Sequence, residues 1–177
     1  MRQVSAGFSL FELLMTLLLM AMIAAIAIPS FANTVANGRI RTEVSALFHA
    51  VHVARKESIM RRSVVSICPS TNGRNCSANY DWSSGWLMFS NQDRDEPPQL
   101  DPGEALLQVH RASADVRIQA NRRGFTLRAT DQRATNGTIR FCDQHARGTA
   151  RALIISYTGR PRVALENSRH EQYTCQA

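Results

Sequence analysis

The chain has 177 residues, room for one membrane helix and one globular domain. Its net charge of +7 is unevenly spread: residues 8–41 carry +1, residues 42–104 carry −2, and residues 105–177 carry +7, with twelve arginines against five acids. That C-terminal excess suggests a polyanion-facing surface. Catalysis finds no footing, because there is no Gly-x-Ser-x-Gly elbow, no His-Glu-x-x-His and no Gly-rich phosphate loop followed by Lys. We expect no enzyme and no cofactor.

From Phe8 to Ile28 the chain carries a single charge, Glu12, and meets no helix breaker before Pro29. A helix of that length spans about 31 Å, enough for a bilayer core. The leader, residues 1–7, is short and carries only Arg2. In a secretory signal the cleavage site follows the apolar segment, whereas here the small residue, Gly7, precedes it. A carboxylate inside a membrane segment is costly and is by default a functional candidate with a partner. Gly7, the aromatic Phe8 and Glu12, fused to a membrane-length run, resemble the prepilin signature of type IV pilins and type II secretion pseudopilins. The resemblance implies cleavage after Gly7 by a prepilin peptidase, methylation of the new amino terminus at Phe8, and pairing of Glu12 with a neighbouring subunit's amino terminus in a filament. It also implies a single-pass inner-membrane protein with a periplasmic globular domain, extracellular once assembled into a pilus. The competing reading of Glu12 is a side chain that snorkels to the interface.

After this membrane segment, residues 8–29, the helical pattern resumes on one face through residues 30–62. Ile40, Val44, Leu47, Phe48, Val51, Ala54, Ser58 and Ile59 recur at three- and four-residue steps. Glu57 and Arg61 form a favourable i,i+4 pair, and Gly38 is a place for a bend. His49 and His52 share a face but lack further metal ligands, so they read as solvated.

Beyond Arg62 the period changes to short apolar runs between turn signals. Strands are expected at Val64–Cys68, Gly85–Ser90, Ala105–His110, Val116–Gln119, Phe125–Ala129, Thr138–Cys142, Ala152–Tyr157 and Arg162–Leu165. Residues 63–177 therefore read as an all-β sandwich, and the whole chain as α+β, a long helix packed on that sandwich. Cys68, Cys76, Cys142 and Cys175 form an even set in a domain that the anchor places outside the cytoplasm, which favours disulfides. Three pairings are possible. Cys68 and Cys76 flank a Pro/Ser/Asn/Gly loop and are expected to close it, which leaves Cys142 to tie the near-terminal Cys175 to a strand. No Cys-x-x-Cys or His-x-x-x-His spacing supports zinc.

The stretch from Gly85-Trp86 through the acidic loop to Glu104-Ala105-Leu106-Leu107 resembles the middle of the GspH/FimT minor-pilin domain. Asp93, Asp95, Asp101 and Glu104 fall at positions 1, 3, 9 and 12 of a calcium-loop count, but Pro98 occupies the position where the sharp turn needs Gly. We expect a solvated acidic turn and no metal.

The basic motif is Gly159-Arg160-Pro161-Arg162, between the last two expected strands, with Tyr157-Thr158 before it. It reads as a hairpin tip in which Gly159 allows the turn, Pro161 stiffens it and the arginines point outward. Guanidinium groups on such a tip suit bidentate phosphate contacts. FimT-type minor pilins use a Gly-Arg-x-Arg motif near the C-terminus to bind DNA in natural transformation, and the chain is most similar to them. That resemblance implies binding of double-stranded DNA by Gly159, Arg160 and Arg162, supported by Arg169. Gly38-Arg39-Ile40-Arg41 matches the same pattern just beyond the membrane segment, where lipid headgroups or other pilins are the expected neighbours. The rival expectation is a structural subunit: a GspH-type pseudopilin of type II secretion, or a pilus-priming pilin with no DNA role.

Overall fold

The computed structural model of the chain describes residues 9–129 and 133–175. Gly7 and Phe8, with the rest of the leader, lie outside the described residues.

Helix α1 spans Leu10–Arg61, 52 residues, unbroken through Pro29 and Gly38. Its start has a local cause that we did not expect. Ser9 is the N-cap, and its side chain accepts the backbone N–H of Glu12 at 3.2 Å. Glu12 thus occupies the acidic position of a Ser-x-x-Glu capping sequence, where a negative charge also suits the helix dipole. At the other end Arg62 turns left-handed with φ 51°, and its N–H closes back on the helix.

The helix divides by burial. Its large apolar residues from Leu10 to Phe31 are exposed in the single chain, and this part is long and apolar enough to cross a membrane. Packing begins at Ala36 and follows Ile40, Glu43, Val44, Leu47, Ala50, Val51, Ala54 and Ser58. Phe48 is only half-buried and Ile59 is exposed, so these two depart from the expected face. Ile59 follows Ser58 by one residue, a rotation of roughly 100° that carries it off the stripe.

Eight strands follow: β1 Val64–Pro69, β2 Trp86–Asn91, β3 Leu106–His110, β4 Val116–Ala120, β5 Phe125–Leu127, β6 Gly137–Asp143, β7 Arg151–Ile155 and β8 Pro161–Ala164. They form two antiparallel four-stranded sheets, ordered β3-β2-β1-β5 and β4-β6-β7-β8. The fold is α+β, with α1 touching strands of both sheets. Inward residues such as Val65, Ile67, Trp86, Met88, Ile118, Ile139, Phe141 and Leu153 close one core around Leu47, Val51 and Ala54. β1 and β2 are buried on both faces. On their outer side Cys68, Leu87 and Phe89 make a second cluster, roofed by Cys76 and Leu100 from the two long loops.

Glu43 is the charged member of the helix stripe, 6% exposed. One carboxylate oxygen lies 2.9 Å from His110 Nε2, and the other accepts the Ser113 N–H at 2.9 Å. His110 in turn stacks on Trp86 at 5.1 Å. A buried carboxylate survives here because it has partners at the end of β3 and in the loop that follows.

Candidate functional site

The hairpin β7–β8 carries the basic motif, with a register shorter than the sequence suggests. Ile155 pairs with Pro161, Ile154 with Arg162 and Leu153 with Val163. The turn is therefore Ser156–Arg160. Its backbone closes through Gly159 N–H to Ser156 O at 2.8 Å and Ser156 N–H to Arg160 O at 3.1 Å. The Ser156 hydroxyl adds a contact to Thr158 Oγ1 at 2.8 Å and accepts the Arg160 N–H at 3.2 Å.

Pro161 is thus the first residue of β8 rather than a stiffener of the tip. β8 is an edge strand, where a missing N–H costs the sheet nothing. Gly159 sits at φ +69° and is buried. A Cβ there would lie 3.0 Å from Leu127 Cδ1 and 3.4 Å from Arg55 Nη1. The glycine is needed both for the backbone turn and for close approach to the core.

Arg160 and Arg162 are both exposed, and no hydrogen bond or ion pair of either side chain occurs among the described residues. Leu153 faces the core, so the Leu153–Val163 pair lies on the inner side of the sheet. Alternation then puts Arg162, with Ile154, on the outer face.

Two further arginines approach the tip from distant parts of the chain. The guanidinium carbon of Arg133 lies 5.6 Å from the Tyr157 ring centroid, a cation–π distance. Arg55 reaches from α1, its Nη1 buried without a hydrogen-bond partner among the described residues. Neither is marked in the sequence, because only the packing of α1 on the sheets and the pairing of distant segments bring residues 55, 133 and 157 together. Arg169 stands elsewhere. The tail leaves β8 at the end of the hairpin away from the tip and turns back through the Glu166–Gln172 bridge, with Arg169 exposed in the turn.

The second copy of the motif differs in its surroundings. Arg39, on α1, is paired with Asp115 at 2.7 Å. Arg41 lines a groove with Val44, Phe48 and Val163 beside the edge of the second sheet.

The disulfides are Cys68–Cys76, with Cα atoms 5.5 Å apart, and Cys142–Cys175, with Cα atoms 5.6 Å apart. The first closes the loop after β1. The second draws the tail across β7 onto β6.

The acidic loop gathers more tightly than its spacing implies: carboxylate oxygens of Asp93, Asp95 and Asp101 lie within 4.8 Å of one another. Burial, with the charge of Asp93 adding to it, holds the Asp95 carboxyl above its ordinary pKa. The oxygens serve the loop itself. Asp95 accepts from Asn91 Nδ2 at 2.9 Å and Gln99 N at 2.8 Å, and Glu104 accepts from Gln92 N at 2.6 Å.

The fold is similar to that of the type IV minor pilin FimU of Pseudomonas aeruginosa, strain PAO1, in two crystal forms. One gives a TM-score of 0.52 at 21% identity, covering 77% of this chain and 99% of that one. The other gives 0.53 at 20% identity, covering 78% and 96%. At such identity the likeness is one of fold. A search of curated proteins finds no match. The family model described as "Type II transport protein GspH" matches residues 43–159, from buried Glu43 on α1 to the glycine of the hairpin tip, and the chain belongs to this family of pilin-like proteins.

Proposed function

We propose that the chain is a FimT-type minor pilin of the type IV pilus that binds double-stranded DNA without sequence preference and aids its uptake in natural transformation. The observation that carries this reading is the pair Arg160 and Arg162, exposed on a closed turn and an edge strand with no acidic partner among the described residues. A guanidinium held that way offers its planar fork to phosphate oxygens. Binding is electrostatic, because phosphate contacts position the protein without reading sequence. The test is a salt titration of the full chain in non-ionic detergent against duplexes of unrelated sequence. Affinities should agree between duplexes and fall steeply with salt, and each of Arg160→Ala and Arg162→Ala should reduce the log–log slope by about one unit. Sequence-independent loss is expected; an unchanged slope in both variants contradicts the reading.

Maturation belongs to the same proposal. A prepilin peptidase cuts after Gly7, Phe8 becomes the methylated amino terminus, and the apolar half of α1 holds the protein in the inner membrane until it enters a filament. Glu12 then pairs with the amino terminus of a neighbouring pilin. The cap at Ser9 holds the backbone N–H of Glu12 and does not depend on the Glu12 side chain. Glu12→Gln keeps the size of the side chain but removes the charge, so it should leave the protein in the membrane and block filament entry as fully as Glu12→Ala. Filament incorporation of Glu12→Gln at the wild-type level, measured in sheared pili, contradicts the pairing.

The second reading is a structural pseudopilin of type II secretion. It is favoured by the family match itself, which ends at Gly159, one residue before Arg160.

A further inference from the structure

The end of the second sheet that carries the hairpin tip has an opposite corner, and it too is basic. β4 ends there at Ala120. Asn121 then donates its N–H to Thr138 O at 3.1 Å and accepts the Thr138 N–H on its side chain at 2.8 Å. The loop 121–124 therefore starts beside the first residues of β6, at the same sheet end as the Ile155–Pro161 pair. Its backbone is held from inside, because buried Trp82 donates its indole N–H to Arg122 O at 3.3 Å.

The side chains of this corner are oriented as well. Arg122 Nε donates to Asn136 O at 3.2 Å, which steadies the guanidinium and leaves its two terminal nitrogens without partners among the described residues. Arg122 and Arg123 line an opening of about 210 Å³ with Tyr80, Pro97 and Pro98. Glu96, the one acid on its wall among the described residues, is engaged by Arg128 at 2.6 Å.

Segment 133–136 joins this corner to the tip. Ala134 N–H bonds to Tyr157 O at 2.9 Å, Thr135 N–H to Thr126 O at 3.0 Å, and Asn136 O receives Arg122. Arg133 lies over Tyr157 in the middle. From β8 to β4 is three strand spacings, about 14 Å. Along the axis of B-DNA that distance spans about four base pairs.

We propose that this sheet end is one continuous phosphate-binding rim, in which Arg122, Arg123 and Arg133 engage the DNA backbone alongside Arg160 and Arg162. The inference rests on the DNA-binding reading above and adds three arginines from two further segments. It also selects the ligand. A rim held by backbone hydrogen bonds and a buried tryptophan presents fixed positive sites, and a stiff duplex offers phosphates at fixed spacing. A single strand must be ordered to fit, at an entropic cost.

The test uses the full chain in non-ionic detergent, a two-turn duplex and a single strand of the same sequence, each titrated with salt. The Arg122→Ala/Arg123→Ala variant should lower the log–log slope on duplex by about two units and weaken binding about tenfold or more at matched salt. Arg133→Ala should lower it by about one unit. The Arg122→Lys/Arg123→Lys variant should restore the slope, which a folding defect would not permit. Duplex should bind more tightly than single strand, with the preference reduced in Arg122→Ala/Arg123→Ala. If that variant binds with wild-type slope while Arg160→Ala/Arg162→Ala loses binding, the tip alone is the site and the rim is refuted. If neither pair alters binding, the DNA-binding reading falls together with the rim.

Discussion

Gly85→Ala is expected to destabilise the fold by about 3 kcal/mol or more, one of the largest effects of any single methyl group in this chain. Gly85 has φ +126°, a region that side-chain-bearing residues rarely enter. Space forbids the methyl independently of the backbone angle. A Cβ would lie 2.1 Å from His110 O and 3.0 Å from Arg111 Cα, and neither backbone atom can turn aside. Relief requires β2 and β3 to part where Trp86 pairs with His110. It also pulls on the hydrogen bonds from Gly85 N to Trp82 O and from Ser70 N to Gly85 O, both 3.0 Å. His110 is the partner of buried Glu43, so the disturbance reaches the helix. Gly38→Ala is the contrasting case. Nothing lies within 4 Å of its Cβ position, and it stands inside α1, so the substitution should stabilise by about 0.5–1 kcal/mol. Urea denaturation followed by the fluorescence of the buried Trp82 and Trp86 measures both.

Loss of the Cys142–Cys175 bond, in the Cys142→Ser/Cys175→Ser variant, should cost about 3–4 kcal/mol in the chain-entropy model. The bond closes 33 residues, a loop containing β7, the tip and β8. Opening it releases the tail that crosses the outer face of the second sheet. The Cys68–Cys76 bond closes a separation of only 8 residues, and its removal should cost about 1 kcal/mol less by the same model. The same fluorescence transition, compared between the two double variants, reads the difference. Equal losses, or no loss from opening the longer loop, contradict the assignment of the stabilisation to loop closure.

Much of this architecture was legible in the sequence, and the reasons are local. The membrane-length run, the stripe from Ile40 to Ser58 and the turn signals between short apolar runs each report a periodicity that the backbone obeys. All eight expected strands occur, with no end displaced by more than two residues. The displacement mattered at the hairpin, where moving β8 back by one residue put Pro161 in the strand beside Arg162 and left Arg160 in the turn. What escaped the sequence is what depends on distant partners. Glu43 reads as a solvent-facing charge until His110 and Ser113, 67 and 70 residues away, are placed against it. β1 and β2 are short apolar runs, but only the fold shows that loops on their outer side bury the second face. Arg133, Arg55 and the Arg122–Arg123 loop carry no motif, and only the sheet order, with the packing of α1 on the sheets, brings them to one end. The Ser9 cap was within reach, since Ser-x-x-Glu before an apolar run is a helix-start signature, but the membrane reading of Glu12 absorbed it.

The two copies of the Gly-Arg-x-Arg pattern provide the most direct measurement of whether the hairpin is a DNA site. Both have the same charge and spacing, so composition cannot distinguish them. Their surroundings can, because Arg39, exposed on α1, is paired with Asp115 at 2.7 Å, whereas Arg160 and Arg162 stand exposed on the hairpin with no acidic partner among the described residues. Duplex affinity of the full chain should be compared at matched salt for Arg160→Ala/Arg162→Ala and Arg39→Ala/Arg41→Ala. Our account predicts that the hairpin variant loses about two units of salt slope while the helix variant stays near wild type. Equal weakening by both variants, or wild-type binding by the hairpin variant, would contradict it and leave the structural pseudopilin reading in place.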